Sequence, residues 1–120
     1  MKAISIALPG GHRSATVARE FIGLLTRSWR LADGGGLALL TSELVSNAVL
    51  HGGGAVSLTV MLRDDHVRVE INDRSAGMPA PRQPDVDGGF GLGIVDRLAR
   101  AWGVSALPDG KTVWAEYQLP

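Results

Sequence analysis

Two short runs constrain this chain more than anything else in it. "AVSLTVML" (55–62) and "HVRVEIND" (66–73) alternate apolar and polar residues with a period of two, and Asp64-Asp65 separates them. That period belongs to half-buried strands, and the acidic pair belongs to a turn. Val56, Leu58, Val60 and Leu62 share one face of the first run, and Val67, Val69 and Ile71 share one face of the second. The pair therefore reads as an antiparallel hairpin whose apolar side must be covered.

Helices supply the cover. Leu37, Leu40, Leu44 and Ala48 fall on one stripe at 100° per residue, which predicts a helix over Leu37–His51 that ends on Gly52-Gly53-Gly54. Val17, Phe21, Leu24, Leu25 and Ser28 predict an earlier helix to about Trp29, with Ser14 as its N-cap. Lys2–Leu8 reads as an edge strand that stops at Pro9-Gly10-Gly11. From Arg74 to Gly89 there is no period, and a loop that long is usually a lid, a binding loop or disordered. Phe90–Trp102 predicts a third helix, and a final hairpin follows around Pro108-Asp109-Gly110. The order β-α-α-β-β-loop-α-β-β predicts an α+β two-layer sandwich over residues 1–120. A mostly antiparallel, mixed sheet is covered on one face by three helices.

Composition narrows the function. At 120 residues the chain is one domain, and 45% hydrophobic residues suffice for a core. Zero formal net charge and no basic stripe argue against a nucleic-acid partner. With no cysteine there are no disulfides or thiolate metal sites, which suits a reducing cytoplasm. The apolar run near the start is too short for a signal peptide or a membrane span.

Three features carry chemistry. First, Glu43, Asn47 and His51 recur every four residues along the central helix. Asn47 sits at the margin of the apolar stripe, Glu43 one step further round, and His51 drifts into the stripe. Such groups either form a solvated shoulder or face a site, because burial without a partner is costly. Second, Asp73 continues the parity of Val67, Val69 and Ile71, so it points inward. It either caps the following turn or accepts a hydrogen bond from a ligand N–H. Third, Gly88, Gly89, Gly91 and Gly93 lead into a helix in "GGFGLGIVDRLA". Free backbone N–H groups at a helix start suit an anion, while a hinge or a small packing face is the plainer reading.

Competing motifs fail. "GFGLGI" does not match G-x-G-x-x-G, and Ser105 stands where a Walker A loop ending in Gly110-Lys111-Thr112 needs its first Gly. No G-x-S-x-G is present, and the three His lack metal-ligand spacing.

In order, E-x-x-x-N ("ELVSN"), D-x-x-x-G ("DRSAG"), a lid and G-x-G-x-G ("GFGLG") resemble the GHKL nucleotide-binding superfamily with its Bergerat-type ATP fold. Within it the chain is most similar to the small bacterial anti-sigma-factor serine/threonine kinases. A sensor histidine kinase is expected to carry a phosphoacceptor helix upstream, whereas this sequence opens on a strand. The resemblance implies ATP and Mg²⁺ as cofactors, with Asn47 coordinating the metal and Glu43 acting as general base. It implies that Asp73 accepts from the adenine amino group and that Gly77 lets the backbone approach the base. It implies that Gly89, Gly91 and Gly93 wrap the phosphates. Arg82 in the lid either touches phosphate or is solvated. By the same resemblance the partners are a sigma factor and an anti-anti-sigma protein, in a homodimer. A partner-switch module that binds nucleotide without turnover is the alternative. A detached histidine-kinase catalytic domain is a third reading.

The pattern is broken twice. Ser75 replaces the first Gly of the usual D-x-G-x-G, and Lys111 replaces the Thr of the usual G-T-x-V on the last strand. Thr112 has the opposite parity and cannot substitute without a one-residue register shift. Arg13, Arg19, Arg27 and Arg30 form a basic helix face that is either solvated or suited to an acidic partner.

Overall fold

The computed structural model describes residues 2–32, 35–51, 55–74 and 92–120. Along the chain these form β1 (Lys2–Ala7), α1 (Arg13–Ser28), α2 (Gly36–His51), β2 (Val56–Leu62), β3 (His66–Asp73), α3 (Leu92–Leu98), β4 (Ala101–Leu107) and β5 (Gly110–Gln118). The element order is the one read from the sequence. The strands make one sheet in the order β1-β2-β3-β5-β4, and every pairing among the described residues is antiparallel.

The β2–β3 register follows from the alternation. Val60 pairs with Val69 and Leu58 with Ile71, so both apolar sets land on one side. A slip of one residue would turn all of them to the other side. The three-residue connection is closed by the Arg63 N–H donating to the carbonyl of His66 at 2.9 Å.

The apolar face of the sheet meets the helices. Val56, Leu58, Val60, Val67, Val69, Ile71 and Ala115 are buried there. So are Leu37, Leu40, Leu44, Val45 and Ala48 of α2, Ala18, Ile22 and Leu25 of α1, and Val95 of α3. Each fully buried Leu, Ile or Val contributes about 1.5–3 kcal/mol of transfer free energy. α2 is the central helix, packed on α1, α3 and β3. Its expected stripe is buried throughout.

Three local expectations need correction. The N-cap of α1 is His12, which makes no side-chain capping bond. Ser14 lies inside the first turn, fully buried, and its hydroxyl accepts from the Gly10 N–H at 2.9 Å. It ties the preceding turn to the helix. Second, the deepest positions of α1 are Ala18, Ile22 and Leu25, while Leu24 is 58% exposed. Leu25 belongs to the expected set and Val17 and Phe21 are partly buried against the core, but Ala18 and Ile22 take the deepest places. The helix ends with Arg30 at φ 54°, the Leu31 N–H bonded to the Thr26 carbonyl and the Arg30 N–H to that of Arg27. This is a Schellman close. Third, α3 ends at Leu98, and Trp102 belongs to β4. The Arg100 N–H donates to the carbonyl of Glu116 at 2.8 Å, so pairing with β5 takes over from the helix.

The opposite face of the sheet is polar. Arg68 is stacked 4.3 Å over the Trp114 ring and bridges Glu70 at 2.9 Å and Glu116 at 3.2 Å. Arg100 joins the same network through Glu116 and Asp65, both at 3.4 Å.

Candidate functional site

Both strand-borne features of the site lie at one end of the sheet's core face. Asp73 is the last residue of β3, paired with Val56 on one side and Lys111 on the other. Directly opposed residues share a face, so this row is Val56, Asp73 and Lys111, all turned toward the helices. Asp73 is 1% exposed, and the carboxylate thus closes the apolar face as its parity required. The neighbouring row turns outward, where the Thr112 hydroxyl donates to Asn72 Oδ1 at 2.6 Å. Thr112 is therefore on the wrong face to meet anything at Asp73, and Lys111 is on the right one.

Gly110 fixes that arrangement. It is buried, and a Cβ there would overlap the carbonyl oxygen of Asp73 and lie 2.9 Å from the Cα of Arg74. Only a residue without a side chain lets β5 start so close to the end of β3. The Arg74 N–H in turn donates to the carbonyl of Ala55 at 3.1 Å, extending the pairing past Asp73.

α2 brings Glu43 and Asn47 toward the same end. Its first residue, Gly36, lies against the Tyr117 hydroxyl group, and Tyr117 pairs with Val67 at the far end of the sheet. Rising about 1.5 Å per residue, α2 advances about 16 Å from Gly36 to Asn47. β3 advances about 20 Å from Val67 to Asp73. Glu43 and Asn47 therefore stand well along α2 from the end that meets Tyr117. Both Glu43 and Asn47 are half-buried at the edge of the buried arc formed by Leu40, Leu44 and Ala48. Their Cβ atoms are about 6 Å apart, as at any i, i+4 pair.

Gly93, the second residue of α3, is exposed, and a Cβ added to it would meet nothing within 4 Å. No crowding by the described residues demands a glycine there. Gly77, Gly89 and Gly91 lie outside the described residues, as do Ser75 and Arg82, and so does the side chain of His51. Among the described residues no group of three or more His, Asp or Glu could hold a metal ion unaided. A cation in this site would need oxygens from a bound ligand, as a Mg–nucleotide provides. The donor set fits such a ligand: a buried acceptor on the sheet and a half-buried amide and carboxylate one turn apart on α2. Among the described residues no helix is long and apolar enough to cross a membrane.

The outer-face network, of which no short stretch of sequence carries a sign, holds the shifted carboxylates. Hydrogen bonding to His66, with Arg100 nearby, lowers Asp65 below the usual carboxylate range. Burial pushes Glu116 up, but hydrogen bonds from Arg68 and Arg100 outweigh it and leave Glu116 below its usual range. These groups lie on the opposite face from Asp73 and stabilise the sheet.

Comparison with known proteins agrees with this fold. No curated protein matches the chain. Among solved structures, the RsbU and RsbW domains of Rv1364c from Mycobacterium tuberculosis superpose with a TM-score of 0.74 at 21% identity. The match covers 99% of this chain and 33% of that one, so this chain spans about a third of its length. At that identity the likeness is one of fold. A family model described as histidine kinase-, DNA gyrase B- and HSP90-like ATPase matches residues 32–120, most of the chain and all of the site. The chain belongs to this GHKL family of ATP-binding domains.

Proposed function

We propose that the protein is an ATP- and Mg²⁺-dependent serine/threonine kinase of the anti-sigma-factor type, acting on a small anti-anti-sigma partner within a homodimer. The observation that carries this reading is a carboxylate, Asp73, buried at the end of the core face, with the half-buried Asn47 and Glu43 one turn apart on the central helix. The shared fold with a protein containing an RsbW domain supports the choice of branch.

Each residue then has a task suited to its place. Asp73, buried beside Val56, accepts a hydrogen bond from the base and orients it. Asn47 presents an amide oxygen, a hard ligand suited to Mg²⁺. Glu43, still partly solvated, takes the proton from the attacking serine hydroxyl. Bound Mg–ATP supplies the phosphoryl group and the neutralising charge. Gly93, with Gly77, Gly89 and Gly91, allows backbone approach to base and phosphates.

The test is transfer of labelled phosphate from ATP to candidate partner proteins. Glu43→Gln should lower transfer by about 10²–10⁴-fold and leave ATP affinity nearly unchanged. Transfer that persists undiminished in this variant would refute the role of Glu43. Acid-labile product would indicate histidine as acceptor instead of serine. A second reading, a nucleotide-binding partner switch without turnover, is favoured by Lys111 beside Asp73. It predicts ATP binding by calorimetry with no transfer to any partner.

A further inference from the structure

The departure at Lys111 has a consequence for which base the site takes, and this rests on the nucleotide-site reading above. Lys111 is the direct partner of Asp73 across the β3–β5 ladder. It shares the core face with Val113 and Ala115, the partners of Ile71 and Val69. Directly opposed Cβ atoms stand about 4.5–5.5 Å apart. The lysine stem is long and flexible enough to bring an ammonium to the level of the carboxylate. Lys111 is half-buried, so its stem is partly enclosed. It cannot exchange places with Thr112 by slipping, because Gly110 is locked against the Asp73 backbone and Thr112 is bonded to Asn72 on the other face.

The end of the core face thus pairs a residue that only accepts with one that only donates. A carboxylate that accepts from the adenine amino group repels, in that same pose, the carbonyl oxygen O6 of guanine. With an ammonium beside it the match changes. Guanine can donate N1–H and N2–H to the carboxylate while O6 accepts from the ammonium. Adenine can donate its amino hydrogen to the carboxylate and accept at N1. We infer that Lys111 is a specificity-determining residue that widens this site to guanine nucleotides as well as adenine nucleotides.

The test is competition of unlabelled ATP and GTP against a fluorescent ATP analogue and a fluorescent GTP analogue, with Mg²⁺, on the full chain. Wild type should bind GTP within about tenfold of ATP. A hydrogen bond to a charged group is worth roughly tenfold or more in affinity. K111T should therefore lose at least about tenfold for GTP and change less than about threefold for ATP. K111R keeps the donor and should keep the wild-type ratio, which separates recognition from a change in folding. An ATP-to-GTP ratio unmoved by K111T, or a wild-type preference for ATP beyond about a hundredfold, would overturn the inference and leave ATP binding intact. Failure of either nucleotide to bind would overturn both it and the proposed kinase.

Discussion

Two glycines in the last hairpin are crowded by different kinds of neighbour, and the same substitution at each should have unequal effects. At Gly110 a new Cβ overlaps the carbonyl oxygen of Asp73 and lies 2.9 Å from the Cα of Arg74. Both obstacles are backbone, and the backbone there is held by the β2–β3–β5 ladders. At Gly103 the new Cβ meets Trp114 Cζ2 at 2.9 Å and Cε2 at 3.0 Å, both side-chain atoms. That indole lies on the open face, half-buried, and can tilt. Neither glycine has positive φ, so only space separates the two cases. Gly110→Ala should cost about 3 kcal/mol, the upper range for overpacking that moves backbone. Gly103→Ala loses about 0.5–1 kcal/mol if the Arg68 stacking is disturbed and regains about as much from the lower chain entropy of alanine in a strand. Its net effect should stay below about 1 kcal/mol. In urea, where m is about 1–3 kcal/mol/M for small domains, the Gly110 variant should unfold at least about 0.7 M earlier than the Gly103 variant. Equal midpoints, or a larger shift for Gly103→Ala, would refute the close approach of β5 to the end of β3.

Leu44→Ala, at a side chain 1% exposed, should cost about 3–5 kcal/mol in the same assay, whereas Leu50→Ala, at 68% exposure, should stay within about 0.5 kcal/mol. Glu116, held below its usual range mainly by Arg68 and Arg100 against the opposing effect of burial, contributes stability that is complete above the ordinary glutamate range. That contribution is lost as pH falls through the lowered folded value. The wild type should therefore lose more stability than Glu116→Gln on acidification from about pH 5 to pH 3, read from urea midpoints; parallel losses would contradict this. Asp73→Asn should weaken ATP binding by about tenfold, measured by calorimetry, because an amide oxygen accepts less strongly than a carboxylate. An unchanged affinity would remove Asp73 from the base site.

The β2–β3 hairpin and the buried stripe of α2 were legible because each depends on a local period that tertiary packing reinforces. The same period placed Asp73 inward, and the helical wheel placed Asn47 and Glu43 at the core's border. α1 was harder. Ala18 is among its fully buried positions, and small residues carry little weight in a hydrophobic pattern although they bear on interhelical distance. The end of α3 was illegible because Ala99–Trp102 stays compatible with a helix. What stops it is a partner 16 positions away, the Glu116 carbonyl that accepts from Arg100. Long-range charge partners such as Arg68 and Glu116 leave no mark in any short window. Gly77, Gly89 and Gly91 were matched by motif and lie outside the described residues.

Register ties these levels together. A strand offers only two faces, so a single residue of slip would exchange Lys111 for Thr112 beside Asp73 and convert the site toward the usual family pattern. The fold resists that slip on both faces at once. On the core face, Val113 and Ala115 would leave the apolar layer. At the start of β5, Gly110 would leave a place where a side chain overlaps the Asp73 backbone. On the open face, the Thr112–Asn72 hydrogen bond and the stacking of Arg68 on Trp114 would both be lost. The lysine is therefore part of the site by geometry that residues far from it enforce. Its effect on nucleotide binding has to be read with the strand pairing intact, which substitution of Lys111 alone achieves and substitution of Thr112 does not.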